Sequence, residues 1–97
     1  MYLLGHGISK DYQKALVLFR LAADQGNPLA QVKLGIMYEI GEGVPQDFVQ
    51  AHKWHNLGGA NGGELGVKHR DDLAKQMTSA QITEAQQLAR DWRPKGK

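Results

Sequence analysis

The stretch Gly41-Glu42-Gly43-Val44-Pro45-Gln46-Asp47-Phe48 decides the fold, because Gly5-His6-Gly7-Ile8-Ser9-Lys10-Asp11-Tyr12 has already spelled nearly the same pattern. The two segments are offset by 36 residues. That offset also carries Tyr2 onto Tyr38, Ala15 onto Ala51, Leu21 onto Leu57 and Gly26 onto Gly62. A fixed period between about 20 and 50 residues marks a solenoid, whose units cannot bury their apolar faces alone and must stack.

One complete unit can be built around the quoted stretch. Asn27-Pro28 reads as an N-cap followed by proline at the first helical position, where its missing N–H would be unpaired anyway. A helix then runs from Leu29 to Ile40, with Ala30, Leu34, Met37 and Tyr38 on one apolar stripe. Gly35 within it costs about 1 kcal/mol against alanine, which close approach of a neighbouring helix would offset. Gly41 stops the helix in the left-handed position that glycine fills without steric penalty. Val44 plugs the gap between helices, and Pro45 fixes entry to a second helix from about Gln46 to Gly58. That helix turns Phe48, Ala51, Trp54, His55 and Leu57 inward. Asp47 lies in its first turn, where a negative charge favours the helix dipole. The unit is an antiparallel helix pair.

These residues resemble the Sel-one-like repeat family, short relatives of the tetratricopeptide repeats. The resemblance is carried by Ala30, Leu34-Gly35, Met37-Tyr38, Gly41, Gly43-Val44, Asp47, Ala51 and Trp54. It continues in Gly5, Gly7-Ile8, Asp11 and Ala15, then in Ala22-Ala23 and Gly26. The segment from Arg70-Asp71 through Met77-Thr78 and Gln81-Ile82 to Asp91-Trp92 looks like the C-terminal cap of bacterial members. The family implies an all-α, α/α superhelical solenoid that mediates protein–protein contacts and usually lacks catalysis. On that reading the domain comprises a partial repeat over 1–26, a full repeat over 27–62, a degenerate third unit with its cap over 63–93, and a basic tail over 94–97. Three departures matter. The first repeat lacks most of its first helix, Gly58-Gly59 replace the alanine pair, and Gly66 and Arg70 replace an expected alanine and leucine.

Composition narrows the alternatives. With 97 residues the chain is one small domain, and no run approaches the roughly 20 apolar residues of a membrane span. The first eleven residues show no unbroken apolar core of an export signal, so the compartment is unknown and cytoplasmic by default. Without cysteine there are no disulfides and no thiolate metal sites. The net charge is +2, and Arg90, Arg93, Lys95 and Lys97 against Asp91 place +3 of it in the last eight residues. Basicity in a tail, rather than on a folded face, argues against nucleic acid.

Residues that carry chemistry are few. His52 and His55 share a helix face, but two imidazoles are too few for a structural zinc site, and nothing in the spacing requires Glu64 or His69 to complete it. His55 also stands one period after Phe19, an apolar packing position. Asp71 and Asp72 are adjacent and point apart on a helix. Thr78-Ser79-Ala80-Gln81 is a capping box at the start of an amphipathic helix reaching Trp92. Gly5-His6-Gly7 and Gly41-Glu42-Gly43 sit between helices, not after a strand, so they are turns rather than phosphate loops. The cluster Gly58, Gly59, Gly62, Gly63 and Gly66 reads as a frayed helix end and a soft joint. Trp54, Tyr2, Tyr38 and Phe48 fall at packing positions rather than on a base-stacking platform. No catalytic residue, cofactor site or metal site is assigned.

What remains is surface. Leu29, Val32, Ile36 and Ile40 form a second apolar stripe on the first helix of the full repeat, with Lys33 and Glu39 at its rim. In related solenoids this helix lines the concave side, so the stripe is a candidate groove for a partner protein or peptide. The truncated first repeat leaves Tyr12, Leu16 and Phe19, with Leu18 beside them, as a candidate self-association patch, most simply a homodimer. The expected function is a non-catalytic interaction scaffold. The alternative is a fragment of a larger regulatory or cell-envelope-associated hydrolase whose activity lies in another domain.

Overall fold

In the computed structural model, which describes residues 6–95 and their side chains from residue 13 onward, five helices follow one another. They are α1 (His6–Asp24), α2 (Pro28–Ile40), α3 (Phe48–Ala60), α4 (Glu64–Ala74) and α5 (Ser79–Asp91). Each of the first three packs on the next, and α5 returns to α3. No strand occurs among the described residues, and none of their helices is long and apolar enough to cross a membrane.

Local chemistry sets the boundaries. The Asn27 side chain accepts the Ala30 N–H at 2.9 Å, and Pro28 is the first helical residue of α2. Gly41 closes α2 at φ 84°, ψ 33°, its N–H on the Met37 carbonyl. Asp47 is the N-cap of α3 rather than part of its first turn, and its carboxylate accepts the Gln50 N–H at 3.1 Å. The Asp47 N–H also donates to the Tyr38 carbonyl at 2.9 Å, pinning the turn to α2. The capping box forms at α5: Gln81 N–H on Thr78 Oγ1 at 3.1 Å, Thr78 N–H on Gln81 Oε1 at 2.9 Å.

The first turn does not copy the second. The repeat predicts a turn through Gly7 to Asp11, yet α1 is already helical at His6. Where the second turn carries Pro45, the first carries Ser9. Proline removes a donor and drives the preceding residue out of the helical region, whereas serine keeps its N–H and lets the helix run on. Gly5 and Tyr2 lie outside the described residues.

Ala23, Ala30, Leu34, Trp54 and Leu57 form the buried core, with Leu16, Phe19, Tyr38, Ala89 and Trp92 packed against it. Trp92, half-buried, meets Trp54 edge to face at 6.3 Å and 75°, so the cap helix is bolted to α3. Gln31 is fully buried, its Nε2 on the Ala23 carbonyl at 3.1 Å and its Oε1 on Asn61 Nδ2 at 3.2 Å. It ties the α1–α2 joint to the end of α3. The basic tail also folds back: the Lys95 N–H donates to the Asp24 carbonyl at 2.6 Å.

In the glycine cluster, Gly58, Gly59, Gly63 and Gly66 form a packing seam rather than a frayed end, while Gly62 has open space around it and turns the chain at φ 104°. A Cβ on Gly58 would lie 2.7 Å from Val32 Cγ2, and one on Gly66 would lie 2.6 Å from both the Gly59 N and the His55 O. Helices α2, α3 and α4 approach too closely there for a methyl group. Gly35 serves the same end, with the His55 ring 2.6 Å from where its Cβ would be.

Candidate partner-binding face

Helices α2 and α4 flank α3 and start on the same side of it. Their first turns border an open hollow of about 390 Å³ lined chiefly by Leu29, Val32, Gly63 and Leu65. Leu29 is 67% exposed and Leu65 62%. The two leucines are one period apart, so the repeat places the same apolar side chain twice along one face. The offset that relates Leu21 to Leu57 also relates Leu29 to Leu65, and that signal would have found the second leucine.

The proposed stripe on α2 is not uniformly accessible. Leu29 and Ile40 are exposed and Lys33 stands in solvent, but Ile36 is half-buried and Val32 is buried against the glycine seam. Val32 shapes the floor of the hollow, and Leu29 and Leu65 are its accessible walls. Glu39 does not sit free at a rim: its carboxylate receives His55 Nε2 at 3.2 Å.

Helix α1 presents a second apolar face. Leu16 and Phe19 are half-buried because, with Ala23, they form the stripe that meets the core. Helical phase therefore leaves Val17, Leu18 and Leu21 exposed, at 57%, 63% and 55%. The accessible patch is rotated from the one the sequence suggested. The Tyr12 side chain lies outside the described residues.

The titratable groups are mostly engaged locally. Asp71 pairs with Arg70 at 3.0 Å, and Asp72 stands 3.8 Å from the Lys75 ammonium, so the two carboxylates answer different cations. His52 and His55 are both buried. Burial, then the nearby Arg70 charge, holds His52 below its ordinary value despite Asp71. Burial, reinforced by His69 and His52, pushes His55 down to about 4. Its contact with Glu39 is therefore a hydrogen bond donated by a neutral imidazole, not an ion pair. The His69 ring stacks on His55 with centroids 5.0 Å apart. Glu39, His55 and His69 bring donor atoms within 4.8 Å of one another, and His52 and Glu64 do not join them.

An α/α repeat solenoid with an open apolar hollow between successive repeats is the class that this geometry defines. The Sel1 repeat profile matches residues 1–27 and 28–63, and the chain belongs to the Sel1 repeat family. The crystal structure of c5321, a protective antigen present in uropathogenic Escherichia coli strains and displaying an SLR fold, superposes with a TM-score of 0.81 at 38% identity. That match covers 93% of this chain and 20% of the antigen. The HRD3B component of an ERAD-associated E3 ubiquitin-protein ligase from Arabidopsis thaliana is 35% identical over 55 residues, 57% of this chain. This chain spans 9% of that relative's length.

Proposed function

We propose that this chain is a non-catalytic scaffold whose open hollow holds an apolar segment of a partner protein. The observation that carries the reading is the pair Leu29 and Leu65, repeat-equivalent and exposed on either side of one hollow. Exposed leucines so placed bind through area removed from water, about 25 cal/mol per Å². A groove with two anchors one repeat apart suits an amphipathic helix or an extended apolar strip. HRD3B is named as a component of a ligase, which fits a part that holds others together. No observation on these residues favours the hydrolase reading.

The test is capture of partner from a bacterial lysate with tag-free protein on resin. The double variant Leu29→Asp/Leu65→Asp should lose the captured species while helicity and melting temperature stay near those of the parent. Both side chains are more than half exposed, so the change leaves the core intact. Ile36→Asp is the poorer probe because Ile36 is half-buried. Capture that survives the double variant would place the binding site elsewhere.

The exposed α1 face favours self-association of the isolated chain. Burying an apolar side chain of this size contributes about 1.5–3 kcal/mol, and Val17, Leu18 and Leu21 lie together. We expect a two-fold dimer at micromolar concentration, in which the patch meets its own copy. Sedimentation velocity reads it directly: Leu18→Lys/Leu21→Lys should return the species to 10.7 kDa. A parent chain already monomeric at that concentration rejects the dimer.

A further inference from the structure

Three helices each bring one metal-binding side chain to the same point. Glu39 comes from the last turn of α2, His55 from the middle of α3 and His69 from the middle of α4. One donor atom from each lies within 4.8 Å of the other two. One pair, His55 Nε2 and Glu39 Oε1, is at 3.2 Å, already about the separation of two ligands on one tetrahedral ion with bonds of about 2.1 Å. Two imidazoles sharing such an ion carry ring centroids about 5 Å apart. The His55 and His69 rings are 5.0 Å apart but stacked at 23°, so the partly exposed His69 ring turns to bring its nitrogen onto the ion.

The core position itself asks for an explanation. One period earlier the residue is Phe19, and an aromatic ring is what packing there requires. His55 instead buries an imidazole completely, with no partner for Nδ1 and only the Glu39 carboxylate for Nε2. A buried polar ring so poorly satisfied is unfavourable as packing alone. A cation at Nε2 would replace the proton shared with Glu39, and the imidazole proton would then sit on Nδ1, on the side of Gly35. The donor set is two imidazoles and one carboxylate, a combination that suits a divalent transition ion of the zinc type. The Glu39 side chain is 31% exposed, so a fourth coordination position opens to water.

We propose that Glu39, His55 and His69 bind one divalent transition cation, with solvent completing its coordination. His69 is half-buried on α4 and is the ligand that closes the remaining distance. The ion would join α2, α3 and α4, and its binding would tighten the repeat against the degenerate third unit. This proposal is independent of the partner-binding reading.

The experiment uses tag-free protein stripped with chelator. Added Co²⁺ should give the visible absorption bands of a four-coordinate N/O site at one equivalent, and Zn²⁺ should bleach them. Zn²⁺ should also raise the melting temperature. His69→Ala and Glu39→Gln, both at partly exposed positions, should weaken Zn²⁺ by more than the roughly 10–100-fold that loss of an outer-shell partner costs. His55→Phe, which restores the residue type of the preceding repeat, should abolish binding with the fold retained. His6→Gln and His52→Gln should leave binding unchanged. The proposal is overturned if Co²⁺ gives no such bands, if affinity survives His69→Ala, or if it depends on His6 or His52.

Discussion

Trp54→Ala should lower the melting temperature by roughly 15–30 °C, or leave the chain unfolded at physiological temperature. Trp54 is 3% exposed and joins the core cluster to the edge of Trp92, so its loss opens a cavity and frees the cap helix together. Truncating a buried tryptophan to alanine costs about 3–5 kcal/mol. A domain of this size has only about 5–15 kcal/mol in all. Trp54→Phe separates packing from polarity. The indole Nε1 is buried without a hydrogen-bond partner, so phenylalanine removes a group that the fold does not satisfy. The Phe variant should therefore lose less than half of what the Ala variant loses. Thermal denaturation followed by circular dichroism reads both. An Ala variant melting within about 5 °C of the parent would show that Trp54 is not the bolt of the core.

Much of this architecture is legible before any coordinates, and the reason is periodicity. Within the full repeat the helical spacing announces the core, and Leu34, Trp54 and Leu57 are buried as it predicts, although Leu18 and Leu21, one 36-residue period before Trp54 and Leu57, are exposed. Caps are legible for a different reason: Asn27-Pro28, Gly41 and the Thr78–Gln81 box act within a few residues of chain. What stays hidden depends on distances between helices. Glu39, His55 and His69 follow no repeat spacing, since each comes from a different helix, and only packing brings them together. Gln31 reads as an exposed polar residue until Ala23 and Asn61 are seen on either side of it. The accessible walls of the hollow needed both the period and the burial of Val32 to be singled out. The α1 patch shifted because a fraction of a helical turn separates the stripe that packs (Leu16, Phe19, Ala23) from the one that does not (Val17, Leu18, Leu21).

Glycine is the residue whose meaning the sequence leaves open, and Gly66→Ala turns that ambiguity into a sign. If the cluster from Gly58 to Gly66 were a frayed end, alanine would add helix propensity and stabilise the protein by up to about 1 kcal/mol. The structure requires the reverse at Gly66. Its Cβ would fall 2.6 Å from the Gly59 nitrogen, 2.6 Å from the His55 oxygen and 3.0 Å from the Gly59 Cα. All three are backbone atoms of α3 and cannot swing aside. One period earlier Ala30 occupies the equivalent place with its methyl in the core, so α4 lies closer to α3 at this position than alanine allows. Overpacking costs about 1–3 kcal/mol, occasionally more, and here outweighs the gain in propensity. Gly66→Ala should therefore lower the melting temperature by roughly 5–15 °C. Gly58→Ala should cost less, because its one contact under 3.0 Å is to a side-chain carbon, Val32 Cγ2, rather than to backbone, although the Pro28 carbonyl follows at 3.1 Å. A Gly66→Ala protein that melts at or above the parent temperature would mean that α4 rides further from α3 than this packing places it.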